Sequence, residues 1–138
     1  MIKVKEVMTH QPEAIDFTAS IREAVRKMRD RRCRHLPVKN GKVVAGMISD
    51  RELRGYVLPF DVLEADTEII YSRLEEPVSQ LTQCDLISIA PDDDIKEAIT
   101  LMLEHDIGAL PVIDPTEGAL LGMISYVDIL RTCYERLL

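Results

Sequence analysis

The sequence predicts an α/β fold made of two similar halves, and three observations carry that prediction. The chain repeats itself. Shifted by 74 residues, positions 20–38 fall on 94–112, and Ile21, Glu23, Ala24, Met28, Leu36, Pro37 and Val38 meet identical residues at Ile95, Glu97, Ala98, Met102, Leu110, Pro111 and Val112. A short motif also recurs: Gly46-Met47-Ile48-Ser49 returns as Gly122-Met123-Ile124-Ser125, each copy followed three positions after the serine by an acid, Glu52 or Asp128. Finally, apolar runs of strand length alternate in each copy with segments whose apolar residues recur at helical spacing. Two copies are too few for a solenoid, so the halves are expected to pack on each other about a pseudo-twofold axis.

The elements follow in order. Residues 14–17 and 86–89 read as short strands. Ser20 with Glu23, and Asp94 with Glu97, are capping boxes that open helices. Behind them Ile21, Ala24, Val25 and Met28 form one apolar face, as do Ile95, Ala98, Ile99 and Met102. Residues 36–38 and 110–113 read as strands with Pro37 and Pro111 at their starts, where a missing donor is tolerated. Asn40-Gly41 marks a hairpin, and residues 114–118 a longer turn. Residues 43–49 and 119–125 are the partner strands, and 51–57 and 127–137 the closing helices. The order is strand, helix, strand, strand, helix, twice. Pro59 stops the first closing helix, and residues 61–74 read as an extra joining helix. Residues 78–81 lie at the 74-residue shift from 4–7, so each copy begins with a short lead-in expected to pack on the other half. The resulting divisions are 1–57, 58–77 and 78–138, the first and last being the repeats with their lead-ins.

Composition narrows the function. With 138 residues the chain can bury a real core, and no apolar run approaches the roughly 18 residues a membrane span needs. The N-terminus lacks the apolar centre of a signal peptide, so a cytoplasmic protein is expected, with no membrane partner. Cys33, Cys84 and Cys133 are far apart, and His10, His35 and His105 show no ligand spacing, so no metal is expected. The net charge of −7 hides an asymmetry: residues 1–57 carry 13 Lys/Arg against 7 Asp/Glu, and the remainder 4 against 17. An acidic whole argues against nucleic acid as the main partner. There is no nucleophile elbow and no Walker loop, so a binding module is expected rather than an enzyme. A small DNA-associated regulator ranks last, because the chain holds no helix-turn-helix outside the repeat.

The candidate site grows from the repeated motif. In each copy a strand runs directly into a helix, and a hydroxyl followed three residues later by an acid is the pattern of a helix N-terminus. Backbone N–H groups, a hydroxyl and a carboxylate then face whatever lies beyond the strand, a seat for phosphate and sugar hydroxyls. The simpler reading is that Ser49/Glu52 and Ser125/Asp128 only cap their helices; the duplication favours the first. For Arg26, Lys27 and Arg31 a solvated helix face is as good a reading as any, whereas Arg34 stands at a strand entry. His35 is read equally as a packed strand residue or a ligand. Asp92-Asp93-Asp94 reads as a turn rather than a magnesium site.

This order of elements and motifs resembles a tandem pair of cystathionine-β-synthase (CBS) domains, a Bateman module. The matching residues are Glu6-Val7-Met8-Thr9, Ser20-Ile21-Arg22-Glu23-Ala24, Arg34-His35-Leu36-Pro37-Val38 and Gly46-Met47-Ile48-Ser49 in the first copy. In the second they are residues 90–98, Gly108-Ala109-Leu110-Pro111-Val112 and residues 122–128. The resemblance covers nearly the whole chain. It implies a sensor of adenosine-containing ligands, AMP, ADP, ATP or S-adenosylmethionine, bound in clefts between the halves, with no further cofactor. It also implies that Ser125 and Ser49 contact phosphate, that Asp128 and Glu52 hold ribose, and that Met123 and Met47 lie against adenine. Residues 11–15, including Glu13 and Ala14, would face the Ser125/Asp128 site. Residues 85–89, including Ile87 and Ser88, would face the Ser49/Glu52 site. Arg34 and His35 would be basic phosphate ligands. Such modules usually form homodimers through their closing helices, and a signal would pass through a protein partner or self-association, as in energy sensing. The alternative is a structural or protein-interaction module without nucleotide. Two departures stand out: Glu52 replaces the usual aspartate, and Gly108-Ala109 replaces any basic pair in the second copy.

Overall fold

The computed structural model describes residues 1–58, 67–82 and 86–137. They form two compact units of mixed helix and sheet. One comprises Met1–Pro12, Lys42–Val44 and the chain from Leu86 onward; the other comprises Glu13–Gly41 and the described residues from Ala45 to Thr82.

In the unit that holds the first repeat, β2 (Ile15–Asp16), β3 (His35–Asn40) and β4 (Val43–Ser49) form a three-stranded sheet in that order. Helix α2 (Ile21–Arg31) is started by Ser20, whose hydroxyl accepts from the Glu23 N–H at 3.1 Å. It buries Ile21, Ala24 and Met28 of the face expected from spacing, while Val25 is exposed. Gly41 turns the hairpin with φ +65°, a conformation glycine adopts without a Cβ penalty. Helix α3 (Asp50–Val57) closes the repeat, burying Leu53 and Val57, and α4 (Thr67–Leu74) follows. Of the expected joining helix, residues 61–66 lie outside the described residues.

The other unit repeats the plan. Its sheet has the order β1 (Thr9–His10), β6 (Leu120–Ser125), β5 (Ala109–Ile113), flanked by α5 (Ile95–His105) and α6 (Tyr126–Arg136). Strand β1 comes from the N-terminal lead-in, which packs with the second repeat, as expected. Val4, in the short helix α1 (Val4–Val7), is fully buried with Ile95, Leu110 and Ile124. The Val4 N–H donates to the Asp93 carbonyl at 2.8 Å, and the Ile95 N–H to the Ile2 carbonyl at 2.9 Å. Lys3 and Lys5 both approach Asp92, at 3.5 and 3.0 Å. The exchange is reciprocal. Val78, the counterpart of Val4, is fully buried in the first repeat's core, and the Ile21 N–H donates to the Glu76 carbonyl at 2.8 Å.

Two expectations are corrected. Pro37 and Pro111 do not start their strands; each is the third residue of its strand and buried. Residues 86–89 do not form a strand either: Ile89 alone makes a parallel bridge, to Val112. The corrections share one cause. Ile89 donates to the Pro111 carbonyl at 3.2 Å and accepts from Ile113 at 2.9 Å. The next donor in a parallel ladder would be the N–H of residue 111, facing the Ile87 carbonyl, and proline has none. Beyond Ile89, the Ala90 N–H is taken by the Asp93 carboxylate at 3.0 Å, which also supports the turn reading of the Asp92–Asp94 run. Pro37 limits β2 in the same way, so the ladder begins at Ile15, paired with Val38.

Candidate functional site

Each copy of the glycine motif does end a strand and start a helix. Ser49 caps α3: its hydroxyl accepts from the Glu52 N–H at 3.1 Å and donates to Glu52 Oε1 at 3.1 Å. Ser125 caps α6 more completely. Its hydroxyl accepts from the Asp128 N–H at 3.3 Å and donates to Asp128 Oδ2 at 3.1 Å, and its own N–H donates to the same oxygen at 2.9 Å. The capping role is therefore real in both copies. Asp128 Oδ2 is occupied twice, and Arg131 stands 3.9 Å from Oδ1. The shorter aspartate side chain closes the ring back to the serine backbone and is 13 % exposed.

The carboxylate of Glu52 stays open to solvent on one side. Loss of hydration on its protein side pushes its pKa above the ordinary value, against the pull of the two Ser49 hydrogen bonds. Met47 and Met123 are half-buried, while the following Ile48 and Ile124 are fully buried and anchor each strand.

The strand-entry pair sits directly behind α3. The Asp50 N–H donates to the Arg34 carbonyl at 2.8 Å, and the Tyr126 N–H to the Gly108 carbonyl at 3.0 Å in the second copy. The backbone construction is thus the same in both, and only the side chains differ. Arg34 is exposed, while His35 is half-buried on β3. Burial, and next the Arg34 charge, lower the His35 pKa, with Asp50 opposing.

The lead-in residues are anchored from their own units. The Lys27 ammonium donates to the Ala14 carbonyl and lies 3.5 Å from Glu13, while Arg31 lies 3.6 Å from Glu13. Lys27 is thus half-buried and engaged rather than simply solvated. In the other unit Ile87 is half-buried and packs against the core, and Ser88 is exposed. Asp85, and with it Cys84, lies outside the described residues.

Sequence reasoning missed one feature. A cavity of about 530 Å³ opens between α2, α3 and α4, with Val25, Met28, Leu53 and Val57 on its floor and Arg29, Arg32, Arg34 and Arg54 around it. The cluster of cations over residues 26–34 was its only signal, and spacing along one helix cannot show that Arg54, from another helix, joins them. Among the described residues, no group of three His, Cys, Asp or Glu is placed to hold a metal, and no helix is long and apolar enough to cross a membrane.

With this geometry in place, comparison with known proteins gives the family. The CBS domain model matches residues 4–59 and again 78–135, so the chain belongs to the CBS domain family and holds two copies of that domain. An uncharacterized 33.4 kDa protein of Thermofilum pendens is 30 % identical over 133 residues, covering 94 % of this chain and 43 % of that one. Homoserine O-acetyltransferase of Methanocorpusculum labreanum is 32 % identical over 122 residues, 88 % of this chain but only 22 % of that enzyme. The chain therefore spans less than half the length of these relatives. Among solved structures, CBSX2 in complex with AMP matches with a TM-score of 0.80 and 21 % identity over 100 % of both chains. The CBS domain pair of MJ0100, in complex with 5-methylthioadenosine and S-adenosyl-L-methionine, matches with a TM-score of 0.78 and 17 % identity, covering 96 % of this chain and 99 % of that one.

Proposed function

We propose that the chain is a regulatory module that binds an adenosine-containing ligand, AMP, ADP, ATP or S-adenosylmethionine, between its two repeats. It binds without turnover and signals through a protein partner or self-association as a homodimer. The observation that carries this reading is the twice-built strand end. A serine and an acid sit at a helix N-terminus in each repeat, where backbone N–H groups favour an anion and a carboxylate accepts from ribose hydroxyls. The ligands named for CBSX2 and the MJ0100 pair support the adenosyl class.

In this reading Ser125 and Ser49 contact phosphate, Asp128 and Glu52 hold ribose, and Met123 and Met47 lie against the base. Glu13 and Ala14 complete one site, Ile87 and Ser88 the other. The two prolines suit this arrangement, because the strand ladders stop short of those residues. Arg34 is exposed and brings phosphate-binding charge from the first repeat alone. His35, half-buried and favoured as neutral, fits a packed role better than that of a cationic ligand.

The sites should be unequal. Charge-assisted hydrogen bonds to ribose are worth roughly 1.5–3 kcal/mol each. The Asp128 carboxylate accepts two hydrogen bonds from Ser125, whereas Glu52 accepts one from Ser49 and carries an extra methylene and a raised pKa. Calorimetry with AMP, ADP, ATP and S-adenosylmethionine tests this. Asp128→Ala should remove most of the measurable binding, Glu52→Ala should cost less, and the nucleotide should be recovered intact. Absence of heat with every adenosyl compound at millimolar concentration would favour a protein-interaction module, and multiple turnover lost in Asp128→Ala would indicate an enzyme.

A further inference from the structure

The cavity between α2, α3 and α4 lies wholly within the unit that holds the first repeat. Met28, Leu53 and Val57 are buried on its floor, with Leu74 and Cys33 half-buried beside them. Val25 and Leu58 leave apolar surface open to water, being 40 % and 53 % exposed. The α4 wall is fixed in place. Arg73 donates to the Tyr56 carbonyl at 2.8 Å, its guanidinium 5.0 Å from the centre of the Tyr56 ring. Just beyond α4, Glu75 accepts from Arg22 of α2 at 2.7 Å. At about 530 Å³ the space has the size of a preformed small-molecule pocket.

Arg29, Arg32, Arg34 and Arg54 stand around that floor against one acid, Asp50. The arginines are weakly committed within the chain. Arg29 and Arg54 meet only neighbours on their own helices, Asp30 and Asp50, each at 3.2 Å in pairs open to solvent. Arg32 has no ion-pair partner among the described residues. Nor does the fold need these charges. Helix α2 precedes α5 by 74 residues and α3 precedes α6 by 76, so each rim position has a counterpart in the second repeat. The four arginines are matched there by Leu103, Asp106, Gly108 and Leu130. Met28 and Leu53 are matched by Met102 and Ile129, which are also buried. The same helices thus close over an apolar floor with no arginine at all. Four cations gathered over open apolar surface call for a ligand with both characters.

We propose that this cavity binds a small amphipathic anion, an apolar chain or ring that ends in a carboxylate or phosphate. Its apolar body lies on the floor and takes the open surface of Val25 and Leu58 out of water. Its head group sits among Arg29, Arg32 and Arg54, whose planar guanidinium forks match either oxyanion with paired hydrogen bonds. Arg34 is left to the adenosyl site proposed above, and the cavity does not depend on that site.

The probes are decanoate, decyl phosphate and decanol, each below its micellar concentration, with the full chain. Calorimetry gives affinity. Iodoacetamide labelling with peptide mass spectrometry gives location, because Cys33 lines the cavity and Cys133 is exposed on α6. At least one of the two anions should bind at least about tenfold more tightly than decanol, and rising salt should weaken it. That anion should slow the labelling of Cys33 and leave Cys133 unchanged. Arg32→Gln/Arg54→Gln and, separately, Val25→Glu replace exposed residues, so the fold should survive, which circular dichroism checks. Each variant should bind the anion at least about tenfold more weakly. AMP should not displace it. Failure of both anions to bind, equal affinity for decanol, protection of both cysteines alike, or indifference to the arginine substitutions would overturn the site. Displacement by AMP would overturn it too, by placing the anion in the adenosyl site. A chain that binds the anion here and no adenosyl compound would overturn the nucleotide reading alone.

Discussion

His35 shows how a single residue records its surroundings. Burial on β3 and the neighbouring Arg34 charge lower its pKa in the fold, and Asp50 only partly offsets them. In the unfolded chain the imidazole titrates near its ordinary value of about 6.5. Between that value and the lower folded one, the unfolded chain binds more protons, so stability is lost as the pH falls below about 6.5. Thermal melts from pH 7.5 to 5.5 should show this loss in the wild type and a shallower slope in His35→Gln. Equal slopes would mean the ring is not desolvated. Glu52 shifts the opposite way, upward, so its carboxylate is given up at a higher pH than an ordinary glutamate, and any ribose it holds would be released first on acidification.

At the level of elements, the glycine of the repeated motif has a steric reason in the second copy. A Cβ on Gly122 would lie 2.6 Å from Met8 Sδ and 2.7 Å from the Thr9 carbonyl oxygen, because β1 is laid against β6 at that point. The sulfur can move, but the backbone carbonyl cannot without parting the strands. Gly122→Ala should therefore cost about 1–3 kcal/mol in chemical denaturation. Gly55, at an exposed position of α3 with nothing within 4 Å, is the control: Gly55→Ala should stabilise by about 0.5–1 kcal/mol. If both substitutions behave alike, the β1–β6 approach is not what holds the glycine. The prolines act at the same scale. Each withholds one donor, and the parallel ladder stops where that donor would have been needed.

At the scale of the whole chain, each lead-in completes the core of the unit that holds the other repeat. Val4 completes the core of the second repeat and Val78 that of the first, both with no exposed surface. Truncating either removes two buried methyl groups and leaves a cavity, at a cost of about 2 kcal/mol. Val4→Ala and Val78→Ala should each lower the unfolding midpoint by a similar amount. A neutral Val4→Ala would mean that the N-terminal segment only rests on its unit.

Much of this architecture is legible in the sequence because it rests on local physics. Helical periodicity sets most of the buried faces of α2 and α5, and the serine–acid spacing marks the starts of α2, α3 and α6. Asp94 caps α5 through the Lys96 N–H and not through the expected box with Glu97. Register between the copies reveals the lead-ins. What the sequence could not show depends on atoms brought together from distant segments. The short pairing of Ile89 follows from a proline two residues away across the sheet, not along the chain. Lys27 meets the Ala14 carbonyl and the Glu13 carboxylate, which belong to a different segment. The groove needs Arg54 beside Arg29 and Arg32, and no spacing rule joins residues on two helices. Local sequence determines which segments become strands and helices, because the hydrogen bonds and apolar faces that decide this lie within a few residues. Tertiary structure decides which donors are spent, which charges gather and which apolar faces remain uncovered, because those depend on neighbours met only after the chain has folded.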